Sequence, residues 1–103
     1  MKINGIEAVL QSVKMEQVDG VFIVHNSTSK KVLLFNETSS FIWKIMLEHE
    51  KTNSNLVTSF IVQKILEACN LSDERKQEVS HDVEEILHAF FDSELLCIVS
   101  PEK

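Results

Sequence analysis

The apolar residues of this chain change period near residue 36, and that change limits the fold more than any other feature. Before it, apolar and polar residues alternate and β-branched types are frequent; after it, apolar residues recur three and four positions apart. A repeat of two belongs to a half-buried strand, and one near 3.6 to an amphipathic helix. Strands and helices are therefore segregated along the chain, which implies an α+β domain with helices covering a small sheet.

Val9–Val18 reads as a first strand, followed by Asp19-Gly20, a dipeptide that takes positive φ cheaply and closes a tight turn. Val21–His25 is a second strand, Asn26–Lys30 a polar loop and Lys31–Phe35 a third strand. Such short connections favour an antiparallel meander. Asn36 or Thr38 suits a helix cap, and Phe41, Ile42, Ile45, Met46 and His49 predict a helix over about 38–49. After a polar break at Lys51–Ser54, Leu56, Phe60, Ile61, Ile65 and Leu66 mark a second helix ending before Asn70. Ser72 suits the cap of a third helix, with Asp73 and Glu74 near its positive end. That helix runs over about 73–93 and carries the stripe Val79, Val83, Ile86, Leu87 and Phe90. Leu95–Val99 predicts a terminal strand, and Ser100–Lys103 a frayed end. The expected architecture is a three-stranded antiparallel sheet followed by three helices.

A chain of 103 residues, 44% apolar, can build one core but not two, so a single domain is expected. The longest unbroken apolar run, Leu95–Val99, is five residues, too short to cross a bilayer. Met1–Gly5 lacks the apolar stretch of a secretory signal, and Cys69 and Cys97 cannot form a disulfide framework. These features set the expectation of a cytoplasmic domain with no membrane partner. The formal net charge of −6 resides in residues 73–94, where eight acidic residues face only Arg75 and Lys76. Nucleic-acid binding needs clustered Lys and Arg at the phosphates, so no nucleic-acid partner is expected. The acidic segment is either a solvated helix face or a surface that attracts a basic partner.

Catalytic patterns are weak. With glycine only at positions 5 and 20, a glycine-rich phosphate loop cannot be built. Ser80-His81-Asp82 holds the residue types of a hydrolytic triad, but consecutive helical residues point about 100° apart. His81, Glu84, Glu85 and His88 share a helix face, yet the two imidazoles stand about 10 Å apart along the axis. Both cannot reach one ion at about 2 Å, and a hydrated outer face is the plainer reading. Cys69 is expected to fill the core beneath the second helix; Cys97 can pair with it only if the fold brings them together. Trp43 reads as core, and His25 and His49 have no evident partner. Nothing implies a cofactor, a metal or an enzyme.

Two features suit an interface. Val32–Phe35 is strongly β-prone and follows a polar loop. If it lies at a sheet edge, its unpaired backbone groups can accept another strand. Lys30 and Lys31 would also suit an ordinary edge protected by charge. The broad stripe of the third helix, extended by Phe91 and Leu95, either lies wholly in the core or leaves one flank lining a groove.

These residues carry a family resemblance. The run Leu34-Phe35-Asn36-Glu37-Thr38-Ser39-Ser40-Phe41-Ile42-Trp43 resembles the leucine-asparagine-x-threonine and isoleucine-tryptophan signature of PqqD-like proteins. His81-Asp82-Val83-Glu84-Glu85-Ile86-Leu87, followed by Leu95-Leu96, is similar to their carboxy-terminal signature, and the likeness spans roughly residues 9–98. Phe35 stands where the family has Leu, Leu47–Thr52 lacks a Gly common there, and Glu94 replaces a Gly after the third helix. The resemblance implies a winged-helix-like, non-catalytic domain of ribosomal peptide biosynthesis. Such a domain binds the leader region of a precursor peptide and presents it to a modifying enzyme or leader peptidase. In the family the leader adds to the third strand and packs on the third helix. That maps to Lys31, Val32, Leu33, Leu34 and Phe35, and to Val83, Ile86, Leu87 and Phe90. Asp82 and its acidic neighbours would select a basic leader or steer the enzyme. The alternatives are a winged-helix regulator of DNA, which the acidic third helix disfavours, and a small metalloprotein centred on His81 and His88.

Overall fold

The computed structural model of the chain describes residues 2–10, 13–26, 30–52 and 55–98. Its elements are β1 (Lys2–Ile3), β2 (Ile6–Leu10), β3 (Lys14–Val18), β4 (Val21–Asn26), β5 (Lys31–Leu34), α1 (Glu37–Thr52), β6 (Asn55–Leu56), α2 (Thr58–Ala68), a 3-10 turn (Asp73–Arg75), α3 (Lys76–Asp92) and β7 (Leu96–Ile98). This is an α+β, winged-helix-like architecture. The expected antiparallel meander is β3-β4-β5, with Asp19 and Gly20 both at positive φ in its first turn.

Beside it lies a second, four-stranded sheet of order β6-β1-β2-β7, in which β7 is the expected terminal strand while periodicity gives no signal for β1 or β6. The strand expected over Val9–Val18 is two strands in different sheets. Val9 and Leu10 belong to β2, which pairs with β7 near the other end of the chain, while Lys14–Val18 pairs with β4. Alternation runs through both and cannot show where one partner is exchanged for another. Leu56 likewise leaves the second helix for β6, beside β1. Residues 11–12, 27–29, 53–54 and 99–103 lie outside the described residues. They include most of the expected polar loop, part of the polar break, Val99 and the frayed end.

Helix ends are satisfied from near and far. Asn36 caps α1, its Oδ1 accepting the Ser39 N–H at 2.7 Å. At the start of α2, Val57 has no side-chain acceptor, and Asn4 supplies one from the β1–β2 turn. Its Oδ1 accepts the Thr58 N–H at 2.9 Å, and its Nδ2 donates to Thr58 Oγ1 at 2.9 Å. Ser72 stands ahead of the 3-10 turn, but its side chain caps nothing. α3 ends in a Schellman turn: the Leu95 N–H reaches Phe90 O and the Glu94 N–H reaches Phe91 O. Glu94 is thereby held at φ 64°, a conformation glycine adopts without strain. Glu94→Gly is expected to raise the unfolding free energy by about 0.5–1 kcal/mol, read by urea unfolding followed through Trp43 fluorescence.

Asn26, expected in a loop, is instead the buried last residue of β4. Its Nδ2 approaches the carbonyls of Ser93 and Glu94 at 3.4 and 3.3 Å, tying the sheet to the carboxy-terminal end of α3. Ser40 makes a second tie, its Oγ accepting the Phe22 N–H at 3.0 Å.

The core packs Ile42, Trp43 and Met46 of α1, Ile61 and Val62 of α2, and Val83 and Phe90 of α3 against Val24, Leu95 and Leu96. At its centre Phe35 stacks on Phe90 at 5.2 Å between ring centroids, and Trp43 meets both edge-on, at 5.8 and 5.3 Å. The Trp43 Nε1–H donates to Met15 Sδ at 2.9 Å. Cys69 departs from expectation. It is the exposed C-cap of α2, where the chain leaves helical geometry immediately after Ala68.

Candidate functional site

β5 is an edge. β4 pairs with one side of it, and among the described residues no strand pairs with the other. Phe35 N–H donates to Phe22 O at 2.9 Å, which makes these opposed residues a hydrogen-bonded pair. Bonded and non-bonded pairs alternate in an antiparallel ladder, so Leu33 and Lys31 also face β4. The N–H and C=O groups of Val32 and Leu34 then point out of the sheet. Their side chains stand on its outer face, 62% and 75% exposed.

Between this edge and α3 runs a groove. One end is a cavity of about 150 Å³ with Leu33, Leu34 and Phe35 on the strand side and Ile86, Ala89 and Phe90 on the helix side. It continues into a more polar hollow of about 380 Å³, bounded by Asn36, Thr38, Asp82 and Glu85 and sharing Ile86 and Ala89 with the first.

Most of the residues named from the sequence meet here. Lys31 is exposed at the start of the edge, Leu33 is half-buried on the groove side, Phe35 and Phe90 form the floor, Ile86 a wall, and Asp82 the polar end. Val83 and Leu87 stand apart. Val83 is wholly buried behind the wall, and Leu87 lies on the opposite flank of α3, lining a separate hollow with Ile3 and Ile6. The helical stripe is wider than one flank, so residues four apart on it need not face the same neighbour. Ala89 and Ser93 line the groove without having been singled out, and Thr38 and Glu85 line it although they were read only as a helix cap and as an acidic neighbour of Asp82. Ala89 carries the one readable signal: a small side chain one turn beyond Ile86 leaves room beside β5.

The groove's charge is one-sided. Asp82 and Glu85 are exposed, and among the described residues neither is ion-paired with a Lys or Arg. His81 Nε2 lies 3.7 Å from Glu85 Oε2 on the outer side of α3. Arg75 is hydrogen-bonded to Glu78, and that bond with the attendant charge attraction raises the guanidinium pKa. No group of three or more His, Cys, Asp or Glu is placed to hold a metal, and no helix is long and apolar enough to cross a membrane, among the described residues.

Fold and groove together define an α+β, winged-helix-like domain with an unpaired sheet margin beside its last helix. No family model and no curated protein matches the sequence. Among solved structures, the fold is similar to that of TbiB1 in complex with the TbiA(beta) leader peptide. The TM-score is 0.67 at 20% identity, over 93% of this chain and 94% of that one.

Proposed function

We propose that this domain binds the leader region of a ribosomally synthesised precursor peptide as an added strand on β5, and delivers it without catalysis to a modifying enzyme or leader peptidase. The observation that carries the reading is the outward-facing backbone of Val32 and Leu34 beside the groove on α3. The PqqD-like signatures and the fold shared with a leader-bound protein support it. An added strand satisfies the unpaired backbone groups regardless of sequence, while alternate side chains enter the groove and confer selectivity. Its other side chains lie beside Val32 and Leu34 and shield apolar surface that now faces water. A carrier must also release its cargo, so a dissociation constant of about 1 μM, near −8 kcal/mol, is expected.

The test begins with short open reading frames next to the gene. The amino-terminal half of the encoded peptide, titrated calorimetrically, is expected to bind and to slow amide exchange at Val32 and Leu34. Binding that leaves both amides unprotected would place the peptide elsewhere, and absence of binding by every neighbouring peptide would remove the reading.

A further inference from the structure

We infer that the peptide strand received by β5 carries a lysine or arginine two residues from its apolar anchor, the basic side chain lying between Asp82 and Glu85. The inference rests on the proposed peptide binding and names the chemistry of its ligand. Three observations lead to it.

The first is that the apolar cavity and the polar hollow adjoin on α3. Ile86 and Ala89 belong to both, Phe90 to the apolar end alone, and Asp82 and Glu85 to the polar end alone. A chain paired along β5 crosses both in succession.

The second is their spacing. Along α3, Glu85 precedes Phe90 by five residues, roughly 7.5 Å, and Asp82 precedes it by eight, roughly 12 Å. Two residues of an extended strand rise roughly 6.8 Å, and residues two apart point to the same face. A side chain in the cavity over Phe90 therefore places the side chain two positions away level with Glu85, from where the long stem of a Lys or Arg extends towards Asp82. The residue between them points to the opposite face, beside Val32 and Leu34.

The third is charge complementarity. The polar end offers two carboxylates without a Lys or Arg partner among the described residues, and Asn36 Oδ1 is engaged in capping α1. The hollow of about 380 Å³ accepts a long side chain whose stem lies along Ile86 and whose charged head reaches the carboxylates. An acidic side chain there meets two like charges, and the charges already near them are Arg75, which acts on Asp82 without forming an ion pair, and the His81 ring beside Glu85. Because the residues that fix the anchor also lead into the hollow, the acidic segment acts in choosing the peptide.

The experiment is a selection of random 12-residue displayed peptides on the purified 103-residue chain. Expected are sequences with one apolar position and Lys or Arg two residues from it. The basic preference disappears when selection is repeated on the double variant Asp82→Asn, Glu85→Gln, while the apolar position remains. In the best binder, exchanging the basic residue for Glu is expected to weaken binding about five- to tenfold, less at high salt. Selected peptides with an apolar anchor and no basic preference, or one unchanged by the double variant, overturn the inference and leave peptide binding standing. If no peptide is selected, or if those selected bind Val32→Pro undiminished, the binding site itself is wrong and the inference falls with it.

Discussion

Phe90→Ala is expected to lower the unfolding free energy by about 3–5 kcal/mol, the usual loss for a buried aromatic truncated to a methyl group. Phe90 is 3% exposed and touches both other rings of the central cluster, Phe35 and Trp43. Its removal costs transfer energy, two ring contacts and an unfilled space. Domains of this size commonly have only about 5–15 kcal/mol to lose, so a large part of the variant population unfolds near body temperature. Trp43 lies against the cavity so created, and its fluorescence in a urea titration reads the effect. A loss below about 1 kcal/mol would mean that the floor of the groove is not the packed cluster described. The same burial makes Phe90→Ala a poor probe of binding, since a weakened complex would report a weakened fold.

Val32→Pro is the sharper probe. Proline removes an N–H that points out of the sheet, and an edge position of that kind tolerates it. The pairing of Leu33 and Lys31 with β4 is untouched, so the thermal midpoint is expected to fall by only a few degrees, in line with about 1 kcal/mol. Binding of the cognate leader is expected to weaken at least tenfold, because one strand bond is lost and the ring obstructs its neighbours. Ala89→Phe approaches from the other wall. Ala89 is exposed, so the larger ring extends into the groove without disturbing the core, and a loss of similar size is expected. If both variants fold and bind normally, the leader does not lie between β5 and α3.

Much of this was legible in the residue order, and the remainder has physical reasons for being hidden. The meander and the three helices follow from period, because Val24, Val83 and Leu66 repeat at the intervals that place them inside. The edge position of β5 was left open by the residue order, because nothing in Val32–Phe35 shows whether one neighbouring strand or two pair with it. The second sheet was hidden because its strands are short and its partners distant: β1 and β6 have two residues each, too few for alternation. Asn4-Gly5 carries a hairpin signal, with φ of 52° and 81°, but only a two-residue strand precedes it. Nor does sequence reveal that Asn4 caps a helix 54 positions away, or that Asn26 reaches α3. A polar residue ending a strand looks like a loop until its distant partner is known. The stripe of α3 does not show how its apolar face divides between core and groove, so Val83 and Leu87 shared a pattern with Ile86 and Phe90.

The link from Asn26 to the carbonyls of Ser93 and Glu94, in the turn that ends α3, has a kinetic consequence. It joins the two walls of the slot at one end, and Phe35 stacked on Phe90 joins them along the floor. Neither wall can swing outward without breaking a buried contact. The slot therefore keeps its gauge when empty, and a peptide bound as proposed would enter a preset space with no opening step before it. Association of such a peptide would then be paced by encounter, and the lifetime of the complex by how well the peptide fits.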